Sequence, residues 1–186
     1  MTDNELIRQY LVTQNSEHFS QLYRKYSSKV FGKCISLLRE EAAAQDAMQD
    51  IFMKIFLNLA SFSEKSQFST WIYSITYNYC IDILRKEKKE KMLFADEPER
   101  AERVAEADVT DAFLMEMEVG RLKLILEAVP TSDKLILLMK YQDDMSIREI
   151  AETLQKTESA IKMKIKRAKQ RAQECYYQLF AERATG

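Results

Sequence analysis

The chain has 186 residues, which suffices for one medium-sized domain or two small ones near the lower size limit for burying a core. Its three Gly, two Pro and nine Met residues favour an all-α protein. The net charge of −1 excludes a global positive field, so binding to nucleic acid has to arise from local patches. Residues 156–171 hold seven basic side chains and one acid, whereas residues 92–120 hold nine acids and two arginines.

Nothing in the chain predicts a metal site, a cofactor or a membrane anchor. Cys34, Cys80 and Cys175 are isolated from one another, without a CxxC motif, which is typical of buried thiols in a reducing cytosol. The first residues are acidic and lack an apolar run, so a secretory signal is not expected. No segment reaches the roughly 18 apolar residues of a membrane span, and we therefore expect a cytoplasmic protein.

The first half of the chain predicts helices separated by short polar segments. They are expected from Asp3 or Asn4 to about Thr13, from Ser16 onward, from about Glu40 to Leu59 and, after a Ser-rich loop at residues 60–69, from about Thr70 to Lys89. The third helix has an apolar stripe with a period near 3.6 residues, formed by Met48, Ile51, Phe52, Ile55, Phe56 and Leu59.

Periodicity fades between Met92 and about Thr110, where acids dominate as they do in solvated linkers. The sequence therefore predicts two small helical domains, residues 1–91 and 112–186, joined by a flexible acidic linker over residues 92–111. In the second domain a helix is expected around Phe113 to Val129, then a break at Pro130 and a helix from Thr131 to Tyr141.

The segment from Ser146 to Gln173 predicts a helix-turn-helix. Ser146 and Glu149 match a capping box, and Thr157 can cap a second, longer helix after a tight turn. On that helix a buried face is expected from Ile161, Ile165, Ala168, Ala172 and Leu179. Six basic side chains are then expected to point toward solvent, namely Lys162, Lys164, Lys166, Arg167, Lys169 and Arg171. Such a face suits a DNA major groove, although a solvated amphipathic helix has the same charges.

Three separated motifs occur in the order found in bacterial sigma factors: AQDAMQDIFMKIF at 44–56, WIYSITYNYCIDILRK at 71–86, and the helix-turn-helix. From about Asn4 to Leu179 the chain resembles the small, two-domain extracytoplasmic-function (ECF) class. The resemblance implies a region 2 domain that binds core RNA polymerase and the −10 element, and a region 4 domain that binds the −35 element. It implies a monomeric sigma factor, not an enzyme, that directs the polymerase to specific promoters and helps open the −10 region. Its partners would be core RNA polymerase, promoter DNA and a cognate anti-sigma factor.

The resemblance also implies roles for individual residues. Asp46, Gln49 and Asp50 share one helix face and would dock on the clamp helices of the largest polymerase subunit, with Phe52 as a partly exposed anchor. The −10 element would be bound with the help of a loop pocket for an extruded base, by Phe62, Ser63, Lys65, Ser66, Phe68, Trp71 and Asn78. Arg85, Lys86, Lys88 and Lys89 would hold phosphates upstream. The −35 element would be contacted by Glu158, Ser159, Lys162, Met163, Lys164, Lys166 and Arg167, with Lys164, Lys169 and Arg171 better placed for its phosphates.

Two positions depart from the family pattern. Gln155 stands where the turn often has Gly, which is unfavourable if this residue needs a positive φ. Met163 stands where small or polar residues are usual, so the −35 preference cannot be transferred. The alternative function is a dimeric helix-turn-helix regulator that binds duplex DNA without the polymerase core. It would leave the motif at residues 71–86 without a role, and no dimerisation helix is evident.

Overall fold

Side-chain caps define where the helices of the first unit begin. The computed structural model describes residues 1–86 and 108–181. Thr2 and Glu5 form a capping box at the first helix, and the side chains of Asn15 and Glu40 accept hydrogen bonds from backbone N–H groups in the first turns of the two helices that follow. The helices are α1 (Asp3–Thr13), α2 (Ser16–Leu38), α3 (Glu41–Asn58) and, after a 3₁₀ turn at Leu59–Ser61, α4 (Phe68–Lys86). The predicted continuation of α4 to Lys89 and most of the predicted linker lie outside the described residues.

The chain divides into two units, Met1–Glu90 and Lys91–Gly186. In the first unit α2 packs against α1, α3 and α4, and α3 packs against α4. The fully buried side chains include Val30, Cys34, Ala44, Ile51, Tyr77 and Cys80. The predicted stripe of α3 is wrong at Phe56, which is 43% exposed, and it omits the small residues Ala44 and Ala47, which are buried.

The second unit is a set of shorter helices around one long helix. They are α5 (Asp111–Met115), α6 (Val119–Ala128), α7 (Thr131–Leu137) with a π-helical turn at Leu138–Gln142, α8 (Ile147–Leu154) and α9 (Glu158–Tyr176) with a π-helical turn at Tyr177–Ala181. The prediction of one helix from Phe113 to Val129 is wrong, because the backbone becomes extended at Glu118 and separates α5 from α6.

The long helix α9 packs against α6, α7 and α8. Its buried face consists of Ile161, Ile165, Ala168 and Ala172, as expected. Leu179 does not extend this face and is 40% exposed, because α9 ends at Tyr176 and the π-helical turn beyond it changes the period. Among the helices that the structure describes, none has the length and apolar character needed to cross a membrane.

Candidate nucleic-acid and protein interfaces

An exposed acidic face lies on α3, and one of its carboxylates is held by α4. Asp46, Gln49 and Asp50 are all exposed. The Tyr79 hydroxyl donates a hydrogen bond to Asp50 Oδ2, and Lys54 Nζ lies 4.8 Å from the centroid of the Tyr79 ring. The hydrogen bond to Asp50 raises the pKa of Tyr79 to about 12. The Asp50 carboxylate is therefore oriented on the surface rather than free to rotate.

The expectation that Phe52 is a partly exposed anchor is wrong. Phe52 is 6% exposed, and its ring centroid lies 4.6 Å from that of Tyr23, because position 52 belongs to the buried stripe of α3. The exposed apolar side chains on the acidic face are instead Met53, which is 60% exposed, and Leu57, which is 70% exposed. They follow Gln49 at i+4 and i+8, so the helical period alone could have identified them.

Aromatic residues at both ends of the loop after α3 point into the protein. Phe62 is 9% exposed and Phe68 2%, and their ring centroids are 5.2 Å apart. Trp71 is half-buried against both rings, with centroid distances of 5.5 and 5.7 Å. The two buried rings form the apolar support of the loop, Phe68 also lines the cavity beside it, and the part of both residues in binding the −10 element stays a prediction. Ser63 and Lys65 are exposed and Ser66 is half-buried.

A cavity of about 550 Å³ opens beside this loop. It is lined by Thr2, Asp3, Asn4, Tyr26, Glu64, Ser66, Gln67, Phe68 and Ser69. Asp3 accepts hydrogen bonds from Lys25 Nζ and from the buried Tyr26 hydroxyl, both at 2.6 Å. Burial and this hydrogen bond raise the pKa of Tyr26. The start of α1 thus forms one wall of the cavity, a role that the sequence of this helix does not predict.

The outward side of α4 carries polar and basic groups near its C-terminal end. Asn78, Arg85 and Lys86 are exposed, and Arg85 lies 3.9 Å from Asp82. The predicted phosphate ligands Lys88 and Lys89 lie outside the described residues. These exposed groups and the loop belong to the same unit, so one small domain brings together a polar cavity and basic side chains.

The helix-turn-helix has the capping pattern expected from its sequence. Ser146 N–H donates to Glu149 Oε2 at 2.8 Å, and Thr157 Oγ1 accepts from Ala160 N–H at 3.1 Å. Gln155, in the turn, has φ 54°, the left-handed conformation that favours Gly. The first turns of α9 present exposed Glu158, Ser159, Lys162 and Met163, while Lys164 and Arg167 are half-buried.

Several of the basic side chains expected to point toward solvent form ion pairs within the second unit. Lys166 Nζ lies 2.8 Å from Asp108, and Lys169 Nζ lies 2.9 Å from Asp111. Arg171 pairs through two nitrogens with Asp133 on α7, whose side chain is 5% exposed. The expectation that Lys166, Lys169 and Arg171 point outward to solvent is therefore wrong, because acids distant in sequence fold against this side of α9 and cover part of these side chains.

Comparisons with known proteins agree with this arrangement. The family model "Sigma-70 region 2" matches residues 22–90, and the model "Sigma-70, region 4" matches residues 120–171. The ECF RNA polymerase sigma factor SigW of Bacillus subtilis is 25% identical over 163 residues, which cover 84% of this chain and 87% of SigW. RNA polymerase sigma factor SigV of the same organism is 23% identical, over 90% of this chain and 92% of its own. The chain belongs to the ECF sigma factors.

Solved structures show the same fold. CnrH, in complex with the cytosolic domain of CnrY, is 20% identical, with a TM-score of 0.61 over 93% of this chain and 96% of CnrH. RpoE of Bartonella quintana, in complex with the anti-sigma factor NepR, is 20% identical, with a TM-score of 0.57 over 84% of this chain and 94% of RpoE. This ECF sigma factor is thus an all-α, two-domain RNA polymerase sigma factor, and the dimeric regulator is not favoured. Sigma factors are in general non-enzymatic initiation factors.

Proposed function

We propose that this sigma factor docks on core RNA polymerase through the exposed face of α3. The observation that supports this most directly is one stripe on which Asp46, Gln49 and Asp50 continue into Met53 and Leu57. Apolar side chains that become desolvated inside a polar rim are the usual source of affinity in protein interfaces. Tyr79 supports the stripe by orienting Asp50. The contact surface would be the clamp helices of the largest polymerase subunit.

The first unit would also bind the −10 element and favour strand opening. The cavity beside the loop has room for a nucleobase and offers hydroxyl, amide and carboxylate groups as partners. Extruding a base costs a few kcal/mol, which stacking and hydrogen bonds inside a pocket can offset. Exposed Ser63, Lys65 and Asn78 would contact the single strand, and Arg85 and Lys86 would contact its phosphates. Binding the unpaired state preferentially shifts the duplex toward opening.

The second unit would read the −35 element with the start of α9. Lys162 and Met163 are exposed and Arg167 is half-exposed, so they can reach base edges, while Lys164 would contact phosphate. A bidentate contact from Arg167 to guanine would contribute about 1–3 kcal/mol of discrimination. Linking two weak DNA-binding units raises the effective concentration of the second contact, so a monomer can span both promoter elements.

An anti-sigma factor is a further proposed partner. RpoE of Bartonella quintana was solved with an anti-sigma factor, and CnrH was solved with the cytosolic domain of CnrY. The exposed Met53 and Leu57 of α3 offer an apolar surface that such a partner could cover. Covering it would exclude core polymerase, so we propose that the two partners compete in the bacterial cytoplasm.

The test is core binding combined with transcription from promoter fragments selected out of a random library. Asp50→Arg reverses a charge in the centre of the proposed face and should abolish both core binding and initiation. Glu41→Arg makes the same charge change at an exposed position on the same helix, away from the stripe, and serves as the matched control. Wild-type core binding by Asp50→Arg would refute the proposed docking face.

A further inference from the structure

Glu64 has an unusual backbone conformation in the loop beside the cavity. Its φ is 56°, the left-handed region, which costs a residue with a side chain roughly 1–2 kcal/mol. Such a conformation persists only where surrounding contacts over-determine it. Local sequence does not provide them, since Ser63 and Lys65 on either side are exposed. The loop shape must therefore depend on contacts made from elsewhere in the chain.

Those contacts come from α1. Arg8 Nε donates to Glu64 Oε1 at 2.9 Å and Arg8 Nη2 donates to Oε2 at 2.6 Å, while Asn4 Nδ2 donates to Oε2 at 3.1 Å. Asn4 and Arg8 are four residues apart and share one face of α1. The two parallel bonds from Arg8 are the geometry that only a guanidinium provides. The Arg8 guanidinium also lowers the pKa of the Glu64 carboxyl, which keeps the pair ionised.

Glu64 is not remote from the proposed DNA site, because Asn4, Glu64 and Ser66 line the same cavity. We propose that Arg8 is a positioning residue, which holds Glu64 in its left-handed conformation and so fixes the shape of the −10 pocket. The inference rests on the proposed −10 function of this loop. Arg8 acts in a second way, since it neutralises a carboxylate that would otherwise face DNA phosphates.

Four variants separate this role from general stability. Arg8→Ala removes both hydrogen bonds from the guanidinium to Glu64, and Arg8→Lys keeps the positive charge without the paired hydrogen bonds. The double variant Arg8→Glu with Glu64→Arg restores the ion pair with the two charges exchanged. Arg24→Ala is the matched control, because it breaks another exposed ion pair of the first unit, with Glu17 at 2.5 Å. Thermal unfolding of each variant establishes that it is folded, and core binding is measured separately.

The measurement is the affinity of the holoenzyme for fork-junction DNA with a single-stranded −10 element, prepared with each of the four bases at the extruded position. Arg8→Ala should lose about tenfold of the discrimination between the best and worst base, with core binding and −35 duplex binding unchanged. Arg8→Lys should retain only part of the wild-type discrimination between bases, and the double variant with the exchanged charges should retain most of it. Arg24→Ala should discriminate like the wild type.

The possible failures are distinguishable. If the wild type discriminates among the four bases and Arg8→Ala discriminates equally well, the positioning role is overturned while the proposed −10 function stands. If Arg24→Ala loses as much discrimination as Arg8→Ala, the effect is a general loss of stability and the inference is again overturned. If the wild-type holoenzyme binds all four templates equally, the proposed pocket function itself fails.

Discussion

The ion pair between Asp133 and Arg171 should contribute substantially to the stability of the second unit. It joins α7 to α9, and the Asp133 side chain is 5% exposed while that of Arg171 is 34% exposed. Fully exposed pairs contribute at most about 1 kcal/mol, whereas removing one partner of a buried pair costs about 3–5 kcal/mol. This half-sheltered, two-bond pair lies between those limits, so we expect Asp133→Ala to lower the free energy of unfolding by about 2–3 kcal/mol.

Urea unfolding can assign this loss to the second unit. The chain has one Trp, Trp71, which lies in the first unit, so its fluorescence follows that unit, whereas far-UV circular dichroism follows the helices of both. Asp133→Ala should lower the circular dichroism midpoint of the second unit by about 1 M urea. The fluorescence midpoint should stay in place. Glu152→Ala, which breaks the exposed pair with Arg148, is the control and should cost below about 0.5 kcal/mol.

A double-mutant cycle with Arg171→Ala provides the decisive comparison. If the pair accounts for the loss, the double variant should be less destabilised than the sum of the two single variants. Additive effects would refute the reasoning, because the loss would then come from something other than the mutual contact of the two residues. An unchanged circular dichroism midpoint in Asp133→Ala would refute it as well, because the pair would then contribute no measurable stability.

The remaining predictions concern the helix-turn-helix and the side of α9 that carries ion pairs. Gln155→Gly should raise the free energy of unfolding of the second unit by about 0.5 kcal/mol. Gly adopts the left-handed backbone without strain, and the strain energy removed exceeds the extra conformational entropy cost of folding a Gly residue. A lower midpoint in the same urea experiment would contradict this. Asp108→Asn should free Lys166 for a phosphate, raise the affinity for −35 duplex DNA and steepen its salt dependence by about one unit. Binding curves across a salt series that superimpose on the wild type would show that the pair does not compete with DNA.

Local sequence sufficed wherever the deciding contacts lie within about four residues. The capping box of Ser146 and Glu149 and the cap at Thr157 are both present, because the groups that satisfy a helix N-terminus are its own neighbours. The buried face of α9 was equally predictable from the sequence, because the helical period decides which residues share one side of a helix. The motifs at residues 44–56, 71–86 and 146–173 then sufficed to identify the family.

Tertiary packing decided which members of each pattern reach the surface. Periodicity assigns Phe52 and Phe56 to the same stripe of α3, and it could not tell that Phe52 packs against Tyr23 of α2 and is 6% exposed while Phe56 is 43% exposed. The ion pair between Lys166 and Asp108 likewise joins groups whose proximity no helical period implies.

The same reason explains why α1 had no predicted part in the DNA site. Arg8 and Glu64 are separated by 56 positions in the chain, and the left-handed backbone of Glu64 has no signature in a Ser-rich loop without Gly. Most of the helices, their caps and the family follow from contacts between near neighbours, which a sequence displays directly, although the break between α5 and α6 was not predicted. The shape of the cavity and the pairing of the basic side chains follow from contacts between distant residues, which exist only once the helices have packed.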